Sequence, residues 1–241
     1  MDASVGTLSQ IYRYPVKSLR GESLLESIVE NYGLYGDRSH AFLDKTRRGE
    51  YLTARQAPNL LGYKAEFTEE RKGPTFPNVK ITSPEGRIFN WDDEALETEI
   101  ETVSGRRVSK VKYSPDRELL AVDDEHIHII TVQSLRKLEY LNGDTLEPRR
   151  FRANFLISLE KDTPFLEDNW LGKRMMIGEV ELEIKGHCPR CNIVNIDPDK
   201  LELNYTLLKT IVQKRKSNFG IYASVVKKGT VKVGDEIVIK S

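Results

Sequence analysis

Cys188 and Cys191 are the chain's two cysteines, separated by Pro189 and Arg190 in GHCPRCNIVNIDPD, residues 186–199. A sulfur pair behind a histidine supports four chemistries. A structural zinc site takes four ligands, usually from two such knuckles. His187, Cys188 and Cys191 supply three, and His40, His126 and His128 show no ligand spacing. A thioredoxin-like disulfide wants its CxxC at a helix N-terminus, whereas NIVNID after the pair reads as strand over 191–196. Both thiols can equally be small apolar core residues. The fourth chemistry uses one sulfur as a thiolate ligand to a soft or high-valent transition metal. Arg190, beside Cys191, would help keep that sulfur deprotonated, and Pro189 stiffens the turn between the thiols. The knuckle alone leaves all four open.

Basic side chains elsewhere add a second kind of chemistry. Arg152 sits in the apolar run FRANFLIS (151–158), read as a strand, where a guanidinium must find an anion or reach solvent. Asn154, two residues on, shares its strand face. Arg38 follows Gly36 and Asp37 in a turn, and Lys17 and Arg20 follow Pro15 in a loop. Each has an ordinary reading as a solvated surface cation. His40 and His128 read as strand residues, and His187 has no assigned role.

The elements that would position these groups are mostly short strands. GEVELEIKG (178–186) alternates Val180, Leu182 and Ile184 against Glu181, Glu183 and Lys185, the pattern of a half-buried strand. Further strand-like runs fall at 6–14, 24–30, 39–43, 62–68, 78–90, 106–113, 126–130, 219–226 and 230–239, with a hairpin turn at SPEG. Three helices are expected: 92–105 with Gly105 as its stop, 131–143 with Thr131 as its cap and Gly143 as its terminator, and one around 204–214. Many strands with a few separate helices predict an α+β chain built on barrel-like sheets. The stretch SPDRELLAVDDE (114–125) is the place for a boundary, dividing 1–115 from 116–241.

Bulk properties narrow the partners. Lys and Arg number 37, as do Asp and Glu, so the 241 residues carry no formal net charge. That argues against a general nucleic-acid binder, which needs excess basic charge. A hydrophobic content of 39% without a long apolar run gives no membrane-spanning helix. The start MDASVGTLSQ shows no signal peptide, and two cysteines make no disulfide framework, so a soluble cytoplasmic protein is expected.

Five stretches in order resemble the MOSC family, named after the C-terminal domain of molybdenum cofactor sulfurases. HCPRCNIVNIDPD resembles its cysteine motif and FRANFLIS its Arg-x-Asn strand. GTVKVGDEI (229–237) is similar to the closing strands. YPVKSLRG (14–21) and GDRSHAFLD (36–44) resemble signatures of the N-terminal β-barrel domain that precedes MOSC in two-domain members. The resemblance implies an α+β, mostly β fold: an N-terminal β-barrel-like domain, then a MOSC β-barrel domain with a few helices. It implies a molybdenum cofactor, a pyranopterin dithiolene with a phosphate tail, in a cleft between them. Cys191 would be the metal ligand and catalytic residue. Lys17, Ser18, Arg38, Arg152, Asn154, Pro189 and Arg190 would surround pterin and phosphate, and Asp123 to His126 would add contacts. These residue types suit the task, because Arg forks onto phosphate and Asn matches amide-like edges.

The activity implied is reduction of small N-hydroxylated substrates, with electrons from separate reductase proteins, since no cysteine-rich ferredoxin module is present. The alternative is a sulfur carrier or molybdenum-cofactor carrier without redox catalysis. Pyridoxal phosphate binding is a further association, at family level only. Neither nucleic acid nor membrane is implied as a partner. Two departures stand out: the family's Asp-Pro-Asp-Thr-Gly is DPDKL at 197–201, expected to alter the turn beyond Asp197, and its Arg-Pro-Asn is Arg-Ala-Asn at 152–154.

Overall fold

The alternation in GEVELEIKG is realised as a long strand, Val180–Pro189, with Val180, Leu182 and Ile184 buried in one core. That strand belongs to a barrel, seen in a computed structural model that describes residues 2–69, 75–116, 120–122 and 124–240. Around the barrel the order is Phe155–Leu159, Ile127–Thr131, Asn218–Lys227, Val180–Pro189, Arg174–Ile177, Glu236–Ile239 and Ala3–Arg13. Ala3–Arg13 pairs back to Phe155–Leu159 and closes it, so these seven strands leave no open edge. Glu22–Leu24 is appended outside, on Ala3–Arg13.

Six of the seven pairings are antiparallel. The seventh, Ile127–Thr131 with Phe155–Leu159, is parallel and needs a crossover, which the helix Val132–Asn142 provides. Thr131 caps that helix by accepting from the Ser134 backbone N–H, and Gly143 ends it at φ 78°. Leu8, Ile129, Phe155, Ile157, Leu182, Ile221 and Ile237 fill the barrel. Full burial of each such side chain contributes roughly 1.5–3 kcal/mol.

Between the first stave and residue 112 the chain builds smaller sheets. His40–Asp44 lies between Val108–Lys112 and Glu50–Tyr51, and Lys64–Phe67, Val79–Thr82 and Ile88–Asn90 form a meander. The helix Glu94–Ser104 covers them with Leu96 and Ile100, sharing a second core with Phe42, Leu60 and Trp91. A third core seats Val132–Asn142 and the helix Thr206–Arg215 on the outside of the barrel, around Phe151 and Phe219. The chain is mostly β as expected, with three α-helices among the described residues. None of these is long and apolar enough to cross a membrane.

Two expected strands are something else. Residues 192–195 form a 3₁₀ turn, Asn192–Asn195, with Cys191 at its N-cap. Asn195 is drawn out of extended geometry because its Oδ1 accepts from the Leu208 backbone N–H and its carbonyl from the Asn204 N–H. The run 151–158 becomes strand only at Phe155; Pro148–Phe151 is a 3₁₀ turn ended by Arg152 at φ 54°.

Candidate functional site

One mouth of the barrel meets the N-terminal sheets in a cleft open to solvent. Its walls come from widely separated segments. Lys17 and Ser18 lie on the loop after the first stave, Arg38 in the turn before His40–Asp44, and Arg152 and Asn154 in the turn before Phe155–Leu159. Pro189, Arg190 and Cys191 come from the end of Val180–Pro189 and the residues just after it. Eight of the ten residues singled out from sequence therefore line one cleft. His126 does not line it: the residue is half-buried, and its ring Nδ1 faces the Val225 backbone N–H at 3.5 Å. Asp123 lies outside the described residues, but its neighbours Asp124 and Glu125 are on the wall.

The loops are held by side chains bonding to backbone across the junction. Lys17, 5% exposed, donates from Nζ to the Ala121 carbonyl at 2.8 Å and lies 5.1 Å above the Tyr51 ring. Arg38 pairs with Asp37 and donates from Nη2 to the Arg152 carbonyl at 3.1 Å. Arg152 donates from Nη1 to the Leu19 carbonyl at 2.8 Å, and both guanidinium groups lie over the Tyr14 ring, at 4.9 and 4.2 Å. Burial, opposed by the charges of Arg152 and Arg38, pushes the Tyr14 hydroxyl up to about 12. Asn154, 1% exposed, works as a staple: Oδ1 accepts from the His128 N–H at 3.1 Å and Nδ2 donates to the Tyr12 carbonyl at 3.3 Å.

The two sulfurs differ. Cys191 is partly exposed, and no described side chain hydrogen-bonds its Sγ. Cys188 is 1% exposed and accepts from Arg190 Nη1 at 2.7 Å. This corrects the expectation that Arg190 attends Cys191: its guanidinium folds back along the strand to the earlier sulfur and, through Nη2, to the Phe151 carbonyl at 2.9 Å. Its Nε is buried without an acceptor among the described residues.

Thr53, Arg55 and Tyr222 also line the cleft and were not singled out from sequence; so does His128, which was read there as an ordinary strand residue. His128 alternates into the wall from Ile127–Thr131, a placement visible only once that strand's partners are known. Burial first, then the charges of Arg190 and Arg38, hold its pKa well below the ordinary histidine value, so the ring is neutral. Burial and then Cys188 raise the Tyr222 pKa above the ordinary phenol value, keeping the hydroxyl protonated. Five basic side chains (Lys17, Arg38, Arg55, Arg152 and Arg190) face two acidic ones, Asp124 and Glu125. The arrangement is suited to an anion of moderate size beside one accessible sulfur.

Sequence comparison decides the lineage. The MOSC domain model matches residues 109–238, more than half of the chain. The chain belongs to the MOSC domain family. The MOSC N-terminal beta barrel domain model matches residues 5–114. Among curated relatives, mitochondrial amidoxime reducing component 2 of Rattus norvegicus is 27% identical over 97% of this chain and 83% of its own. The molybdenum cofactor sulfurase of Bombyx mori is 29% identical over 64% of this chain and 20% of its own. The crystal structure of the YUAD protein from Bacillus subtilis superposes with a TM-score of 0.54, covering 99% of this MOSC chain and 97% of the other at 15% identity, a likeness of fold.

The DPDKL departure keeps a tight turn. Asp197 Oδ1 accepts from the Asp199 and Lys200 N–H groups, and Arg150 holds Oδ2 at 2.6 Å. Leu201, where the family pattern has glycine, takes φ 59° and packs on Leu61 and Ile196.

Proposed function

We propose that this MOSC protein holds a molybdenum cofactor in the cleft through Cys191 and reduces N-hydroxylated small molecules there, with electrons from a separate donor protein. One observation carries the reading: the accessible Cys191 sulfur shares a cleft with five basic side chains drawn from both parts of the chain. The names of the rat and silkworm relatives support it.

The residues present fit the cofactor. A thiolate is a soft ligand appropriate to molybdenum, and the basic walls match a phosphate monoester. The buried Arg190 Nε is a donor left for an acceptor that the described residues do not supply. Asn154 is committed to backbone, so Ser18 and main-chain groups are left to meet the pterin edges. When bound, the cofactor supplies a metal that passes two electrons to the N–O group. Reduction of N–OH to N–H consumes two electrons and two protons and releases water. The protein's part is to bind and to exclude: Lys17, Arg38 and Arg152 fix the anion, and Tyr222 and Asp124 stand at the wall as proton-bearing or proton-accepting groups.

The test is expression in a host competent in cofactor synthesis, followed by molybdenum and pterin analysis and an amidoxime reduction assay with an artificial electron donor. We expect metal and pterin in near-equal amounts with the protein. Cys191→Ala should fall below about one hundredth of the wild-type rate, as expected for loss of a metal ligand. Full activity in that variant, or a persulfide with no pterin in the wild type, would overturn the proposal.

A further inference from the structure

The knuckle contains a sulfur that the proposed function leaves idle. Cys188 is buried at 1% exposure on the strand Val180–Pro189, and a guanidinium of the cleft wall turns back onto it. Arg190 Nη1 donates to Sγ at 2.7 Å. The Tyr222 side chain, from the paired strand Asn218–Lys227, lies near the same sulfur, which after burial raises the phenol pKa. A guanidinium can only donate, so the sulfur is an acceptor here. Arg190 is then held on three sides: by Cys188, by the Phe151 carbonyl at 2.9 Å, and by its own backbone N–H on the Ser217 carbonyl at 2.8 Å. Of the three guanidinium nitrogens, only Nε is without an acceptor among the described residues.

We infer that Cys188 is a positioning residue: its sulfur anchors Arg190 on the cleft wall and so leaves Arg190 Nε as the donor reserved for an acceptor oxygen of the bound ligand. The inference deepens the cofactor reading and rests on it for the ligand. The anchoring itself is a property of the chain alone. The two thiols of the CxxC thus divide the work, Cys191 facing outward to the ligand and Cys188 inward to the groups that surround it.

The competing explanation, a cysteine that merely fills space, predicts the opposite ranking of substitutions. A buried thiol acting as a small apolar group is replaced better by Ala than by Ser, whereas an anchoring acceptor is replaced by Ser and lost with Ala. The measurement is solvent exchange of the Arg190 Nε–H on cofactor-free, ¹⁵N-arginine-labelled protein, the signal being identified by its loss in Arg190→Lys. We expect wild type and Cys188→Ser to exchange slowly and Cys188→Ala at least tenfold faster. Cys188→Val, which fills the space without an acceptor, should exchange as fast as Cys188→Ala and covers the case in which that variant fails to fold. Iodoacetamide alkylation of Cys191 should proceed equally in all, as a check that the cleft is intact. An unchanged exchange rate in Cys188→Ala, or rapid exchange in Cys188→Ser with slow exchange in Cys188→Ala, would overturn the inference. If the wild type never acquires molybdenum, the function proposed above falls while the exchange rates still decide this one.

Discussion

Ser18, Arg38 and Arg152 hold φ at 67°, 53° and 54°, a left-handed backbone that costs a non-glycine residue roughly 1–2 kcal/mol. All three stand on the cleft, where cross-junction bonds such as Arg38 Nη2 to Arg152 O over-determine the conformation. The left-handed conformation was not visible from sequence: Arg38 was expected in a turn, but FRANFLIS reads as an extended run, because arginine has no local preference that announces positive φ. Gly220 shows the same crowding from the other wall. At φ 81°, a Cβ there would lie 2.5 Å from His128 Nε2 and 2.6 Å from the Ile129 carbonyl. Gly220→Ala should therefore destabilise the fold by about 2–4 kcal/mol, combining backbone strain with overpacking. Urea unfolding measures it, and a loss under about 0.5 kcal/mol, the size of an ordinary surface change, would contradict the crowding.

At the scale of elements, the strand Ala3–Arg13 carries the most consequence. It is the first strand of the chain yet completes a barrel whose other staves lie between 127 and 239. A division of the chain into 1–115 and 116–241 is our proposal for its two units, and the geometry makes a specific demand on it. Residues 116–241 alone would expose the edges of Phe155–Leu159 and Glu236–Ile239, which Ala3–Arg13 covers. We expect that fragment to be insoluble or molten by near-UV circular dichroism, and adding residues 1–14 in front of it to restore a cooperative melt. A fragment 116–241 that melts cooperatively by itself would refute this. The helices were legible because their caps are local: Thr131, Gly143 and Gly105 sit where expected. The 3₁₀ turn at 192–195 was not, since Asn195 is recruited by Leu208 and Asn204, partners beyond the reach of a local pattern.

For the molecule as a whole, balanced charge hides an uneven distribution, with basic groups concentrated on one cleft of a chain whose formal charge is zero. Stability against acid should be set in part by buried histidines. Burial first, then Lys112, lowers His40 from 6.5 to about 3, and His128 is lowered as well. Below pH 6.5 the unfolded chain takes up a proton at each ring and the folded protein does not, so stability is lost as pH falls. From pH 7 to pH 5 the His40 contribution should fall by about 2 kcal/mol, at roughly 1.4 kcal/mol per pH unit. Urea titrations at the two pH values, on wild type and His40→Leu, isolate it. The variant should lose less stability over that interval; an equal loss would show that His40 does not titrate on unfolding.

What the amino-acid order determined by itself was everything carried by near neighbours: the two-residue alternation of Val180–Pro189, the capped helices, the paired thiols, and which cations recur in family-like order. Barrel closure decided the rest, because Lys17, Arg152 and Cys191 meet only after Ala3–Arg13 has paired with Phe155–Leu159 and Glu236–Ile239. Which sulfur faces the cleft, and which one Arg190 holds, depends on strand register and on a guanidinium finding acceptors at Cys188 and Phe151. Contacts of that kind arise from packing between distant segments, and no local periodicity encodes them.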